Sequence, residues 1–147
     1  MAGKSAAWEN GVLNLLFLNQ AFAAVGDASG LQPSAVTGSL FVSLHTADPT
    51  DAGTQSSNET AYDGYGRIAV SRAAGFTSAT TGVIVPAADI DFAECTGTPG
   101  AAVTYFGIGV SGTGATTLVY AGALSPSVTM ATGVIPRVKA TSIITET

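Results

Sequence analysis

Charge is what this sequence has least of. Five Lys and Arg with ten Asp and Glu make it about 10% charged, where soluble domains usually carry about a quarter. A monomer of 14.6 kDa exposes about 6,900 Å² by surface scaling. That leaves one charge per roughly 460 Å², which is sparse for a free monomer. Such an exterior is either rich in Thr, Ser, Gly and Ala or hidden under partners, and both are expected here.

The shortage is sharpest for positive charge. The net charge is −5, and Lys4, Arg67, Arg72, Arg137 and Lys139 are scattered. Phosphate backbones are bound by clustered Lys and Arg, so the sequence predicts no nucleic-acid partner. Cysteine is also nearly missing. Cys95 stands alone, which excludes an intrachain disulfide and a disulfide-dense scaffold. Long apolar runs are lacking as well. Lys4, residues 12–18 and Ala21-Phe22-Ala23 imitate the three regions of a signal peptide. Glu9, Asn10, Asn14, Asn19 and Gln20 interrupt that stretch, so it is expected to be retained and not to span a membrane. At 147 residues the chain can bury a sizeable core without staples, and one domain is the natural count.

What the chain does contain is short apolar patterning. Residues 6–24 read as one helix, with Ser5 as N-cap, Glu9 near the positive end and Gly26 as the stop. Trp8, Val12, Leu15 or Leu16, and Phe22 follow helical spacing. Gly11 weakens the helix by about 1 kcal/mol relative to alanine. Two readings stand: a helix packed on the β core, or a partner-docking arm with Trp8 as its anchor.

From residue 38 onward the period changes to two. In residues 39–46, Leu40, Val42 and Leu44 share one face while Phe41, Ser43 and His45 share the other. Asp48-Pro49 ends that strand, and residues 50–64 read as a polar, arm-like surface loop. A strand over 65–72 follows. Short strands are then expected near Phe76-Thr77, over 83–85 and over 88–94, with Ile90 and Phe92 facing in and Asp89 and Asp91 facing out. Residues 96–100 form a turn cluster. Residues 103–110 are apolar on both faces, which suggests a strand buried between layers. Residues 111–114 turn into a strand over 117–124. Val128, Met130, Val134, Ile135, Val138, Ile143 and Ile144 supply the last short strands. Eight to ten strands give a mainly β, single-domain β-sandwich or jelly-roll, with residues 1–30 as an N-terminal helical arm and 31–147 as the core.

The inventory for catalysis is thin. His45 is the one imidazole, and pairing it with Asp48 lacks a strained nucleophile turn, so His45 is expected to hydrogen-bond loop backbone. Cys95, beside Glu94, reads as a small buried residue. Residues 107–112 spell G-x-G-x-x-G, but inside and just past a strand rather than before a helix. Glycine there marks a bulge or a close approach, not a dinucleotide site. Asp48, Asp51, Glu59 and Asp63 share one region, yet their spacing matches no calcium loop, and a solvated acidic loop is the expectation. The residues therefore predict no enzyme, no metal and no cofactor.

Several runs carry a resemblance. They are Leu44-His45-Thr46-Ala47-Asp48-Pro49, then Asn58-Glu59, then Tyr62-Asp63-Gly64-Tyr65-Gly66-Arg67-Ile68-Ala69-Val70. Tyr105-Phe106-Gly107-Ile108-Gly109 and Leu118-Val119-Tyr120-Ala121-Gly122-Ala123-Leu124 follow. Over roughly residues 38–125 the chain resembles small structural proteins of tailed bacteriophages, described as head decoration (cement) proteins or as tail- or fibre-associated proteins. The resemblance implies a virion protein on the exterior of the phage head, assembled in the host bacterial cytoplasm. It would clamp joints of the major capsid protein as a homo-oligomer, a dimer or trimer. A tail- or fibre-associated protein, or an adhesin on the same scaffold, is the alternative. Trp8, Leu16, Asp48, Asp51, Tyr62 and Tyr65 are the candidate contact residues.

Overall fold

A computed structural model describes residues 3–146. In chain order the elements are α1 (Ala6–Leu18), β1 (Ser39–His45), β2 (Ile68–Ser71), β3 (Val83–Ile84) and β4 (Ile90–Asp91). After them come β5 (Val103–Gly109), β6 (Leu118–Val128), β7 (Arg137–Val138) and β8 (Ile144–Thr145). The fold is mainly β with one helix, as the patterning predicts. The strands form a four-stranded sheet in the order β2-β1-β5-β6 and two two-stranded ribbons, β3-β8 and β4-β7. The registers of β1-β5, β5-β6, β3-β8 and β4-β7 are antiparallel. The chain groups into two compact units, one built from residues 3–39, 71–89 and 139–146, the other from Leu40–Val70 and Ile90–Val138.

The first unit is built on α1. Ser5 caps it, its Oγ accepting from the Trp8 amide at 3.3 Å. The helix ends at Leu18, not at residue 24, because Asn19 adopts the left-handed conformation (φ 53°). Asparagine tolerates that geometry better than most side chains. Here its amide also exchanges two hydrogen bonds with the backbone of Ser34, at 2.9 and 2.8 Å. Phe22 is consequently not on the helical stripe. The chain turns back and lays the Phe22 ring over Gly11, where a Cβ would sit 2.5 Å from it. Gly11 is thus a docking notch, and Trp8 joins the contact with ring centroids 5.3 Å apart.

This helix is not a free arm. Leu13 and Phe17 are fully buried, and Phe17 meets Phe76 edge-on at 4.7 Å. Asn10 and Asn14, polar interruptions in the sequence, accept from the amides of Gly82 and Ala79, both at 2.8 Å. Arg72 closes the C-terminal end. Its guanidinium donates to the carbonyls of Leu15 (2.7 Å) and Leu16, two groups the helix leaves without intrahelical partners.

The second unit holds the sheet. Leu40, Val42, Leu44, Phe106 and Ile108 are buried on one face. Ile90 and Phe92 point inward while Asp91 pairs with Arg137 outside, as their alternation predicts. Two strands are shorter than expected. β2 starts at Ile68 rather than at 65, because Tyr65 and Arg67 are turned into a polar network described below. β4 keeps two paired residues, and the chain beyond it is held by single bonds from Phe92 N to Pro136 O and from Cys95 N to Val134 O, both 2.9 Å.

Candidate functional site

The other face of the sheet carries Ser43 and His45 on β1 and Gly107 and Gly109 on β5, all buried, between the half-buried Phe41 and Tyr105. Over it lies the segment 46–66. Composition suggests an arm-like loop for 50–64, but that expectation fails. Gln55, Thr60 and Tyr62 are among the most buried residues of the chain, at 0%, 4% and 2% exposure. Polar residues can be buried when their donors and acceptors are matched. Gln55 is matched by β1 and by the β5–β6 connection, whereas Thr60 Oγ1 is buried without a hydrogen-bond partner among the described residues.

Gln55 shows how. Its Nε2 donates to Phe41 O (3.3 Å), while Oε1 accepts from Ser111 N (3.1 Å) and Thr116 Oγ1 (2.7 Å). Its own amide donates to Thr116 O at 2.9 Å. A Cβ on Gly109 would lie 2.0 Å from the Gln55 side chain, and one on Gly107 would lie 2.6 Å from His45 Nε2. The G-x-G run is a close-approach site for side chains, not a phosphate cradle.

His45 is fully buried. Its Nδ1 lies 2.8 Å from Ser57 O and its Nε2 2.9 Å from Ser43 Oγ. A carbonyl can only accept, so Nδ1 carries the proton and Ser43 donates to Nε2. Burial holds the imidazole below its ordinary pKa, against the Ser57 carbonyl and Glu59, which raise it, and with Arg67, which lowers it further. The ring is therefore a neutral crosslink between strand and loop. Substrate has no path to the Ser43-His45 pair, and Asp48 is not its third member. Asp48 instead accepts from Thr50 N at 2.8 Å.

Next to His45 is an ion pair that the sequence does not announce. Arg67 Nε and Nη2 each reach one oxygen of Glu59 at 2.7 Å. The same guanidinium donates to Ser111 O (3.0 Å), Gly114 O (2.9 Å) and Ser56 Oγ (3.2 Å). Its side chain is 3% exposed and that of Glu59 16%. Tyr65 Oη donates to Glu59 Oε1 (2.7 Å) and accepts from Leu44 N (3.1 Å). Burial pushes the Glu59 carboxyl up, but the bonds from Arg67 and Tyr65 outweigh it and hold the group below its usual range. Arg67 and Gln55 are the residues sequence reasoning misses. Glu59 and Arg67 lie in runs that carry the family resemblance, but no periodicity pairs them, since loop closure brings them together.

The predicted contact residues scatter. Tyr62 is buried, its hydroxyl donating to Ala93 O at 2.9 Å and burial raising its pKa to about 12. Tyr65 is half-buried, edge-on to Tyr62 at 5.4 Å and stacked with Phe92 at 6.2 Å. Tyr62 packs into the core, and Tyr65 packs on Tyr62 and Phe92 while keeping part of its surface exposed. Leu16 is half-buried and Trp8 is 40% exposed. Asp48 and Asp51 do come together. With Thr50, Gly53, Tyr105 and residues 118–121 they line an open pocket of about 320 Å³. Glu59 and Asp63 do not join them, being held by Arg67 and by Thr98 N (2.8 Å). Among the described residues no cluster of three or more His, Cys, Asp or Glu is placed to hold a metal ion. No helix among them is long and apolar enough to cross a membrane.

Two comparisons with known proteins bear on what this framework is for. A family model described as podophage GP4 fiber I protein gp80 matches residues 3–146. No curated protein matches the chain.

Proposed function

The chain belongs to the podophage GP4 fiber I protein gp80 family and is a phage virion structural protein, and from that premise we propose that it is a structural subunit of a virion fibre. The observation that carries this reading is the reach of the family match, which takes in both compact units. The geometry agrees with a load-bearing role. The segment most able to act as a mobile arm is instead tied to the sheet by Gln55, His45 and Arg67. The weakly charged exterior suits a protein whose surface is covered by neighbours.

The head-decoration reading, with the major capsid protein as partner, rests on the resemblance of short motifs and is the reading this one displaces. The two differ in where the chain sits and in how many copies a particle holds. Disrupted particles, separated into heads and tail complexes and quantified by mass spectrometry, distinguish them. The chain is expected to follow the tail complexes, at a copy number far below that of the major capsid protein. Recovery on heads in proportion to the major capsid protein would overturn the fibre assignment.

A further inference from the structure

The pocket beside β6 lies wholly within the second unit, and the network around Arg67 makes no use of it. Its floor is largely apolar. Ala121 opposes Gly107 and Leu118 opposes Gly109, which places both on the sheet face that carries Tyr105. A Cβ on Gly107 would meet Leu118 Cδ1 at 2.7 Å, so the leucine lies across that face. Of the two tyrosines in the lining, Tyr105 shares the face, whereas Tyr120 pairs with Ile108 on the other. The wall is the turn that carries Asp48, Thr50 and Asp51, and hydrogen bonds fix it before any ligand arrives. Asp48 Oδ1 accepts from Thr50 N (2.8 Å), Gly53 N donates to Thr50 O (3.1 Å), and Asn58 Nδ2 donates to Asp48 O (2.8 Å).

We infer that this pocket binds an aliphatic ammonium group, the head of a primary amine on a short apolar stem. Asp48 and Asp51 line it, and no Lys, Arg or His joins them. The ion pairs of the described residues are made elsewhere, by Lys4 with Glu146, Arg67 with Glu59 and Arg137 with Asp91. Among those residues nothing donates to the Asp51 carboxylate, and Asp48 has one of its oxygens in use. Ionised carboxylates only accept, so the group that matches a pair of them is one that only donates, and an ammonium carries donors and no acceptor. The rest of the lining suits the stem. Long basic side chains lay their methylenes along apolar surface such as Leu118 and Ala121, and a phenol ring such as that of Tyr105 attracts a cation. A metal ion fits less well, because no cluster of three or more His, Cys, Asp or Glu is placed to hold one among the described residues. Hard cations collect more oxygens than a pair of carboxylates gives. A neutral sugar must be met by donors as well as acceptors, and both carboxylates offer acceptors alone. At about 320 Å³ the pocket is at the small end of ligand sites, where a single amine head and stem belong.

The site does not depend on the fibre assignment, because it is read on the purified chain. Isotope-labelled full-length protein is titrated at fixed ionic strength with N-acetyl-lysine methylamide and with pentylamine, a free amine of matching stem. Saturable NMR shifts are expected at Asp48, Asp51, Tyr105, Leu118 and Ala121, and none with pentanol, which keeps the stem and lacks the charge. Tighter binding of the lysine derivative would assign the stem to a basic side chain of a neighbouring protein. Equal or tighter binding of pentylamine would assign it to a free amine, and either result supports the pocket. The D48N/D51N variant keeps an acceptor for Thr50 N but loses both charges. It is expected to bind either amine about tenfold more weakly, with an unchanged circular dichroism spectrum. No saturable shift with either amine would overturn the proposal. So would equal shifts with pentanol or methyl glucoside, or amine binding that D48N/D51N leaves unchanged.

Discussion

Arg67 and Arg72 flank the same short strand and solve the same problem in opposite ways. Each ties down a guanidinium in a protein with few cations, and each binds backbone carbonyls far away in sequence. Arg67 does so with a counter-charge, the bidentate Glu59, and adds Ser111 O and Gly114 O. Arg72 has no carboxylate among its bonds. It reaches Leu15 O, Leu16 O, Thr37 O and Ser34 Oγ, and the negative end of the α1 dipole stands in for the missing anion. The difference teaches where charge is indispensable. Under the 46–66 segment a cation and an anion are locked together, so losing one strands the other. At the helix end the partners are neutral, so losing the cation leaves only unmet carbonyls, some of which water can reach.

The largest effect is therefore expected at Arg67. Arg67→Ala leaves the Glu59 carboxylate uncompensated in a nearly closed site and should cost about 3–5 kcal/mol in chemical denaturation. The Arg67→Ala/Glu59→Gln double variant should recover part of that loss, since it removes the stranded charge together with its partner. If the double variant is as damaged as the single one, the stabilisation lies in the carbonyl contacts and the contrast with Arg72 disappears.

Arg72 should matter less. Arg72→Ala is expected to cost about 1–2 kcal/mol, through unsatisfied carbonyls and a weaker helix terminus. Arg72→Lys should restore little, because a point charge cannot fork across Leu15 O and Leu16 O as a planar guanidinium does. Hydrogen exchange across residues 15–18 checks the location. Faster exchange confined to that helical end is the expected pattern, and a loss as large as that of Arg67→Ala would erase the distinction drawn above.

What the sequence disclosed follows the same division. Alternation exposed the strands because each strand has a core-facing row. Leu40, Val42 and Leu44, and again Ile90 and Phe92, were legible as buried before any coordinates. Polar burial was not legible, because Gln55, Thr60 and Glu59 look alike in composition whether solvated or enclosed. The close-approach meaning of Gly107 and Gly109 could be read from their place in a strand, but not that His45 and Gln55 would be what approaches. The helical period overextends the helix because Phe22 falls on it, while α1 ends at Leu18. The Phe22 ring meets Gly11 through a turn at Asn19 instead. Of the candidate contacts, Asp48 and Asp51 come together at a pocket and Tyr62 and Tyr65 meet edge-on, and in both pairs proximity in sequence is the shared signal.

The smallest effect is expected on mild acidification, and it tests whether the network around Arg67 titrates as one body. His45 and Glu59 are both held below their ordinary pKa values, His45 chiefly by burial, Glu59 by Arg67 and Tyr65 against the opposing pull of burial. A depressed folded pKa contributes stability that is present above the unfolded value and is lost as pH falls through the folded one. The His45 contribution should therefore begin to fade below the usual histidine range, about pH 6.5, and the Glu59 contribution only below the usual glutamate range. Denaturation midpoints measured from pH 8 down to 3 are expected to fall in those two stages. His45→Gln should remove the upper stage and leave the lower one. In Arg67→Ala the lower stage should reverse, because protonating a stranded Glu59 relieves that variant. A wild-type profile flat through the histidine range would mean that His45 is charged where it sits, and the Ser57 carbonyl could not then account for its orientation alone.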